Sequence, residues 1–172
     1  MSPCLMCDFN PAFDFGASNR PRGVDVHPHK GFETVTIAYK GSVEHYDSTG
    51  NSGVINPGDV QWMTAGAGIL HKEFHEREFS KKGGLFEMIQ LWVNLPKKDK
   101  LTAPKYQPLV AAEMNKVILP DESGIVSVIA GNFNGAKGSA STFTEINMFD
   151  IRLNENGEMS TEIPAAHNTA IL

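Results

Sequence analysis

His27-Pro28-His29 and, further along, His71-Lys72-Glu73 each place two candidate metal ligands one residue apart. Alternate residues of a β-strand face the same side, so each pair can aim both side chains into one space. Imidazoles and a carboxylate converging in this way suit a divalent first-row transition metal. Nitrogen ligands with one carboxylate and open positions fit non-heme Fe(II), with Mn, Co, Ni, Cu or Zn as substitutes, whereas Mg or Ca would be held mostly by oxygen. His45, His75 and His167 have no such neighbours and read as surface or core residues.

Strands must position these pairs, and strand signals dominate the chain. Glu33–Tyr39 is β-branched and aromatic, and Gly41 with the Asp47–Gly53 cluster marks the turns beside it. Val54-Ile55, the Asn56-Pro57-Gly58-Asp59 turn and Val60–Met63 continue a meander, and Gly66 and Gly68 bracket a bend before Ile69-Leu70-His71. Phe86–Val93 reads as a strand with apolar residues at 86, 88 and at 91, 93, and a change of phase between. Many short, Gly-punctuated strands predict an all-β jelly roll or barrel whose strand ends face a cavity. The polar, Pro-bounded stretch Leu95–Pro104 reads as a connector between residues 1–105 and 106–172. The second part, with strand-like segments at Ser123–Ala130 and Phe143–Leu153, carries no His-x-His pair, so the chemistry belongs to the first.

A chain of 172 residues can bury a core, and 41% hydrophobic with 20% charged residues is ordinary for a globular protein. A net charge of −5 argues against general nucleic-acid affinity, which needs clustered Lys and Arg. No stretch approaches the ~20 apolar residues of a membrane span. The mixed-sign run Lys72–Lys82 reads as a solvated loop or edge. Cys4 and Cys7 lack the strand-to-helix setting of a redox motif and the further ligands of a zinc site, so they read as incidental. The opening residues do not resemble a signal peptide, which makes the cytoplasm the expected location.

Val26–Thr36, containing His-Pro-His-Lys-Gly-Phe-Glu, then Gly58–Gly66 and Gly68–Glu73, resemble the pirin family of the cupin superfamily. Gln90–Pro96 and Pro104–Gln107 extend the likeness over most of the chain. The resemblance implies an N-terminal, metal-bearing cupin jelly-roll barrel and a second, cupin-like barrel, here partial, with iron the usual metal. By position, His27, His29, His71 and Glu73 match the family's ligands. Glu33 holds the glutamate position of the general cupin pattern His-x-His-x3-Glu, which makes it the reserve ligand or a supporting carboxylate. The short lead before His27 and the end at Leu172 give the chain the look of a bacterial-like member entered midway and cut short, a form expected to expose strand edges and self-associate.

The activity implied is that of a quercetin 2,3-dioxygenase, which opens a flavonol ring with O2. Glu73 is the first candidate for the base that takes the flavonol proton, and Glu33 the second. Phe32, Trp62, Met63 and Phe74 are candidates for an apolar wall against a flat aromatic substrate. The alternative is a metal-bound redox sensor that engages a protein partner, such as a transcription coregulator, without turnover.

Overall fold

The computed structural model describes residues 3–172. The chain divides into two compact units, Pro3–Ala112 and Glu113–Leu172. In the first, the elements in order are β1 (Cys4–Phe15), β2 (Gly23–His29), β3 (Phe32–Lys40), β4 (Val43–Asp47), β5 (Ser52–Ile55), β6 (Val60–Thr64), β7 (Ile69–His75), α1 (Arg77–Lys82), β8 (Gly84–Asn94) and β9 (Lys105–Leu109). They form a five-stranded sheet in the order β1-β8-β3-β6-β9 and a four-stranded sheet in the order β2-β7-β4-β5. Neighbouring strands run antiparallel throughout. This is the two-sheet jelly-roll arrangement expected of a cupin.

Strand parity fixes which side chains lie between the sheets. On the five-stranded sheet the inner set includes Thr34, Thr36 and Ala38 of β3 and Phe86, Met88 and Gln90 of β8; on the other it includes Val43 of β4 and Ile55 of β5. Ala38, Val43, Ile55 and Phe86 form one apolar cluster, with Phe15, Phe79 and Met88 packed against it. Met63, Ala65 and Ile69 form a second, with Tyr106 alongside. Burial of such side chains from both sheets is the main force holding them face to face.

Three expectations change. Leu95–Pro104 does not separate two parts, because Leu95 is buried and the segment leads into β9, which pairs with β6. Lys100 ties it down by donating to the Gly31 carbonyl at 2.9 Å and to Asn94 Oδ1 at 2.6 Å. The first unit therefore runs past residue 105 to Ala112. The Lys72–Lys82 run is not a solvated loop: its first half is β7, paired on both edges with β2 and β4. Its second half is α1, capped by Glu76, whose carboxylate accepts from the Glu78 and Phe79 amides. The phase change read in β8 is absent: the strand is hydrogen-bonded to β1 and β3 and buried on both faces, so apolar residues occupy both parities.

The second unit contains β10 (Lys116–Ile118), β11 (Gly124–Ala130), the short hairpin strands β12 (Asn132–Phe133) and β13 (Ala136–Lys137), and β14 (Met148–Leu153). β10, β11 and β14 make a three-stranded sheet. The hairpin turns on Asn134-Gly135, both at positive φ, a pairing that matches strand twist at a two-residue turn. Leu119, Val126, Val128 and Phe133 form the core of this unit. Cys4 and Cys7 lie on β1 as free thiols, the first half-buried and the second exposed. No helix among the described residues is long and apolar enough to cross a membrane.

Candidate metal centre

β2 and β7 are antiparallel neighbours, and their register brings the two motifs together. His27 lies directly opposite His71, and His29 lies opposite Ile69. The pairing shifts between Val24 and His27: three steps along β2 answer two along β7, from Glu73 to His71. This bulge at Asp25-Val26 re-aims the following residues. It also supplies a support, since the Asp25 carbonyl lies 2.7 Å from His27 Nδ1. A carbonyl only accepts, so Nδ1 is the donor and Nε2 keeps its lone pair for a metal.

The three rings form a near-equilateral group, with centroids 4.3 to 4.8 Å apart. Their ligating nitrogens gather within 4.8 Å of one another. His29 Nε2 and His71 Nε2 are 2.9 Å apart. Two nitrogens bound to one ion at ~2.1 Å and at right angles would stand about 3.0 Å apart. The pair is therefore already spaced as neighbouring ligands of a single cation. Burial, and next to it the charge of His27, lowers the His29 pKa to about 4. Burial, then His29 and His27, lowers that of His71 to about 3. Both imidazoles are neutral near pH 7, the form in which histidine binds metals.

Glu73 shares the inner face of β7 with His71, although its oxygens fall outside the tight histidine group. Its Oε2 accepts from Gln90 Nε2 at 3.1 Å, across the space between the sheets. Its Oε1 is buried without a hydrogen-bond partner. Burial raises the Glu73 pKa, opposed by the bond from Gln90 and the charge of His27. A buried carboxylate oxygen without a donor is costly. A cation shared by this carboxylate and the three imidazoles would satisfy it, so the residues present fit a divalent metal ion.

Glu33 is not brought to this group. Gly31, at φ +77°, makes the turn between β2 and β3 and resets strand parity, so that Phe32, Thr34 and Thr36 face inward and Glu33 faces the other side. There its carboxylate accepts from Thr64 Oγ1 at 2.7 Å, and burial raises its pKa against that bond. The apolar wall also differs from the expected set. Phe32 meets His29 with ring centroids 5.1 Å apart, and Met63 lies on the inner face. Trp62 shares the outer face with Thr64 and Glu33, and Phe74 lies on the outer face of its own sheet beside Glu44 and Tyr46.

Trp92, missed in the sequence, takes the place of those two: it stacks on Phe32 at 4.5 Å and meets His29 at 5.4 Å. Gln90 was missed as well. Both follow Phe86 and Met88 at even positions of β8, and uninterrupted alternation would have found them. His45 is buried opposite Glu73 and stacks on Tyr106, whereas His75 packs among Phe15, Phe79 and Phe86. His167 lies in the second unit, 3.8 Å from Glu145. None of these three joins the cluster.

Residues 2–93 match the Pirin family profile. The chain belongs to the Pirin family. A Pseudomonas aeruginosa pirin relative, named as a candidate quercetin 2,3-dioxygenase, is 47% identical over the whole chain, which covers 60% of that protein. Human pirin is 42% identical over 88% of this chain and half of its own length. Among solved structures, a quercetin 2,3-dioxygenase from Acinetobacter baumannii superposes with a TM-score of 0.85 at 51% identity, over 87% of this chain and 52% of that one. The chain thus spans about half to three fifths of these relatives.

Proposed function

We propose that this chain carries the metal centre of a quercetin 2,3-dioxygenase-like oxidoreductase, holding Fe(II) through His27, His29, His71 and Glu73. The observation that supports it is the convergence of three imidazoles on one space, with a buried, donorless Glu73 oxygen on the same face of β7 as His71. The names of the Pseudomonas and Acinetobacter relatives point to the same reaction class and to a flavonol with O2 as substrates. When bound, the metal would supply open positions for oxygen donors and an accessible change of oxidation state. The other contributions come from the chain itself. His29 and His71 stay neutral without competing for solvent protons. The Phe32–Trp92 stack sets a flat aromatic surface beside His29, suited to a planar ring system. Glu73, whose carboxyl has a raised affinity for a proton through burial, is the first candidate for the base that takes the flavonol 3-hydroxyl proton, a role that requires its metal bond to loosen. Glu33, on the far side of its sheet, has no part in that transfer.

Oxygen uptake with quercetin, measured on protein loaded with Fe(II), tests the reading. Uptake with release of carbon monoxide, lost in His71→Ala, supports it. Stoichiometric iron binding with no uptake on any flavonol would refute the enzyme and leave a metal-bound sensor.

A further inference from the structure

Gln90 is nine-tenths buried and makes three side-chain hydrogen bonds between the sheets. Its Nε2 donates to Glu73 Oε2 at 3.1 Å and to Thr36 Oγ1 at 3.2 Å, while its Oε1 accepts from Trp92 Nε1 at 3.1 Å. The chemistry of two partners fixes which end of the amide faces which way: an indole nitrogen can only donate, and a carboxylate can only accept. A reversed amide would set oxygen against the Glu73 carboxylate and N–H against N–H at Trp92. The Gln90 amide then holds Glu73 Oε2, while Oε1, on the same strand face as His71, is buried without a hydrogen-bond partner.

We propose that Gln90 is the positioning residue for Glu73, tethering Oε2 so that Oε1 is presented to the metal, and that Trp92 acts on the site through Gln90 by fixing the direction of its amide. The inference rests on the metal-site reading above. It assigns a task to two residues that are not themselves candidate ligands, and it gives a reason for a polar amide on the inner face of a strand otherwise lined there by Phe86, Met88 and Trp92. Partners that orient metal ligands typically contribute ~10–100-fold in metal affinity.

The test uses the full chain and Co(II) as the probe ion, with affinity read by titration and coordination read from the visible absorption spectrum. Gln90→Leu should weaken Co(II) binding by ~10–100-fold and change the spectrum, since Glu73 loses its tether. Gln90→Glu, close in shape, keeps an acceptor for Trp92 but sets a second carboxyl against Glu73, and should also bind more weakly; it serves if the leucine variant does not fold. Trp92→Phe keeps an aromatic side chain and removes the indole donor to Gln90, so its loss should be smaller. That loss should vanish in the Gln90→Leu background. Additive losses would overturn the role of Trp92 through Gln90. Wild-type affinity and spectrum in folded Gln90 variants would overturn the inference as a whole. Failure of the unaltered protein to bind Co(II) would instead overturn the metal site itself.

Discussion

Without metal, the histidine pair should make this fold acid-sensitive in a window set by two residues. His29 is 5% exposed and His71 1%, and burial is the first cause of lowering in each, to about 4 and about 3. In the unfolded chain both titrate near 6.5. The native state therefore binds fewer protons than the unfolded state below that value. Stability is intact above pH ~6.5 and is lost as the pH falls from there toward the folded values. Between pH 7.5 and 5.0 each group costs about 2 kcal/mol, and the two together about 4 kcal/mol, a large share of a typical domain's stability. His45 and His75, also lowered by burial, add loss of the same sign. Glu33 and Glu73, raised by burial, take up protons earlier in the native state and act oppositely. Comparison with the double variant His29→Gln/His71→Gln removes these shared contributions. Urea unfolding in EDTA at pH 7.5 and 5.0 should show the unaltered protein losing about 4 kcal/mol more than the variant. Equal losses would refute the claim that the two rings are neutral because they are buried.

Further outcomes follow from the site's geometry. Elemental analysis should find Fe(II) absent from His27→Ala and His71→Ala and fully retained in His167→Ala, whose ring lies outside the cluster. Glu33→Gln should keep its metal, because it can still accept from Thr64 on the far face, whereas Glu73→Gln should bind more weakly; the opposite pattern by titration would restore Glu33 as the ligand. Gly23→Ala should both lower the melting temperature and weaken metal binding, since a Cβ there would lie 2.1 Å from the Glu73 carbonyl and 2.5 Å from Phe74 Cα, forcing β2 away from β7.

The candidate histidines were legible because an i, i+2 pair on a strand needs no tertiary information to share a face. Their convergence was not fully so: it depends on an extra residue at Asp25-Val26, which no alternation pattern announces. Glu33 shows the limit of counting. Odd parity runs from His27 through His29 to Glu33, but the turn at Gly31 shifts the phase by one and sends that carboxylate to the other face. Edge strands were the weakest signal. β1 and β2 carry exposed, mixed residues, and β2 contains Pro28, so little in them reads as a buried face. Gln90 and Trp92 were obscured for the converse reason, because β8 is covered on both sides and its outer apolar residues mask the inner row.

β2 has one consequence for how a metal would come and go. Among the described residues it is the last strand of its sheet, paired only with β7, and most of its residues are exposed. Two of the three imidazoles thus ride on an edge strand, while His71 is anchored on a strand paired on both sides. Such an edge opens locally at far lower free energy than the whole fold. The rate of metal exchange would then be governed by fraying of seven residues rather than by global unfolding, and a bound ion would act as a cross-strand rivet, slowing amide hydrogen exchange along β2 while leaving the interior of β8 unchanged.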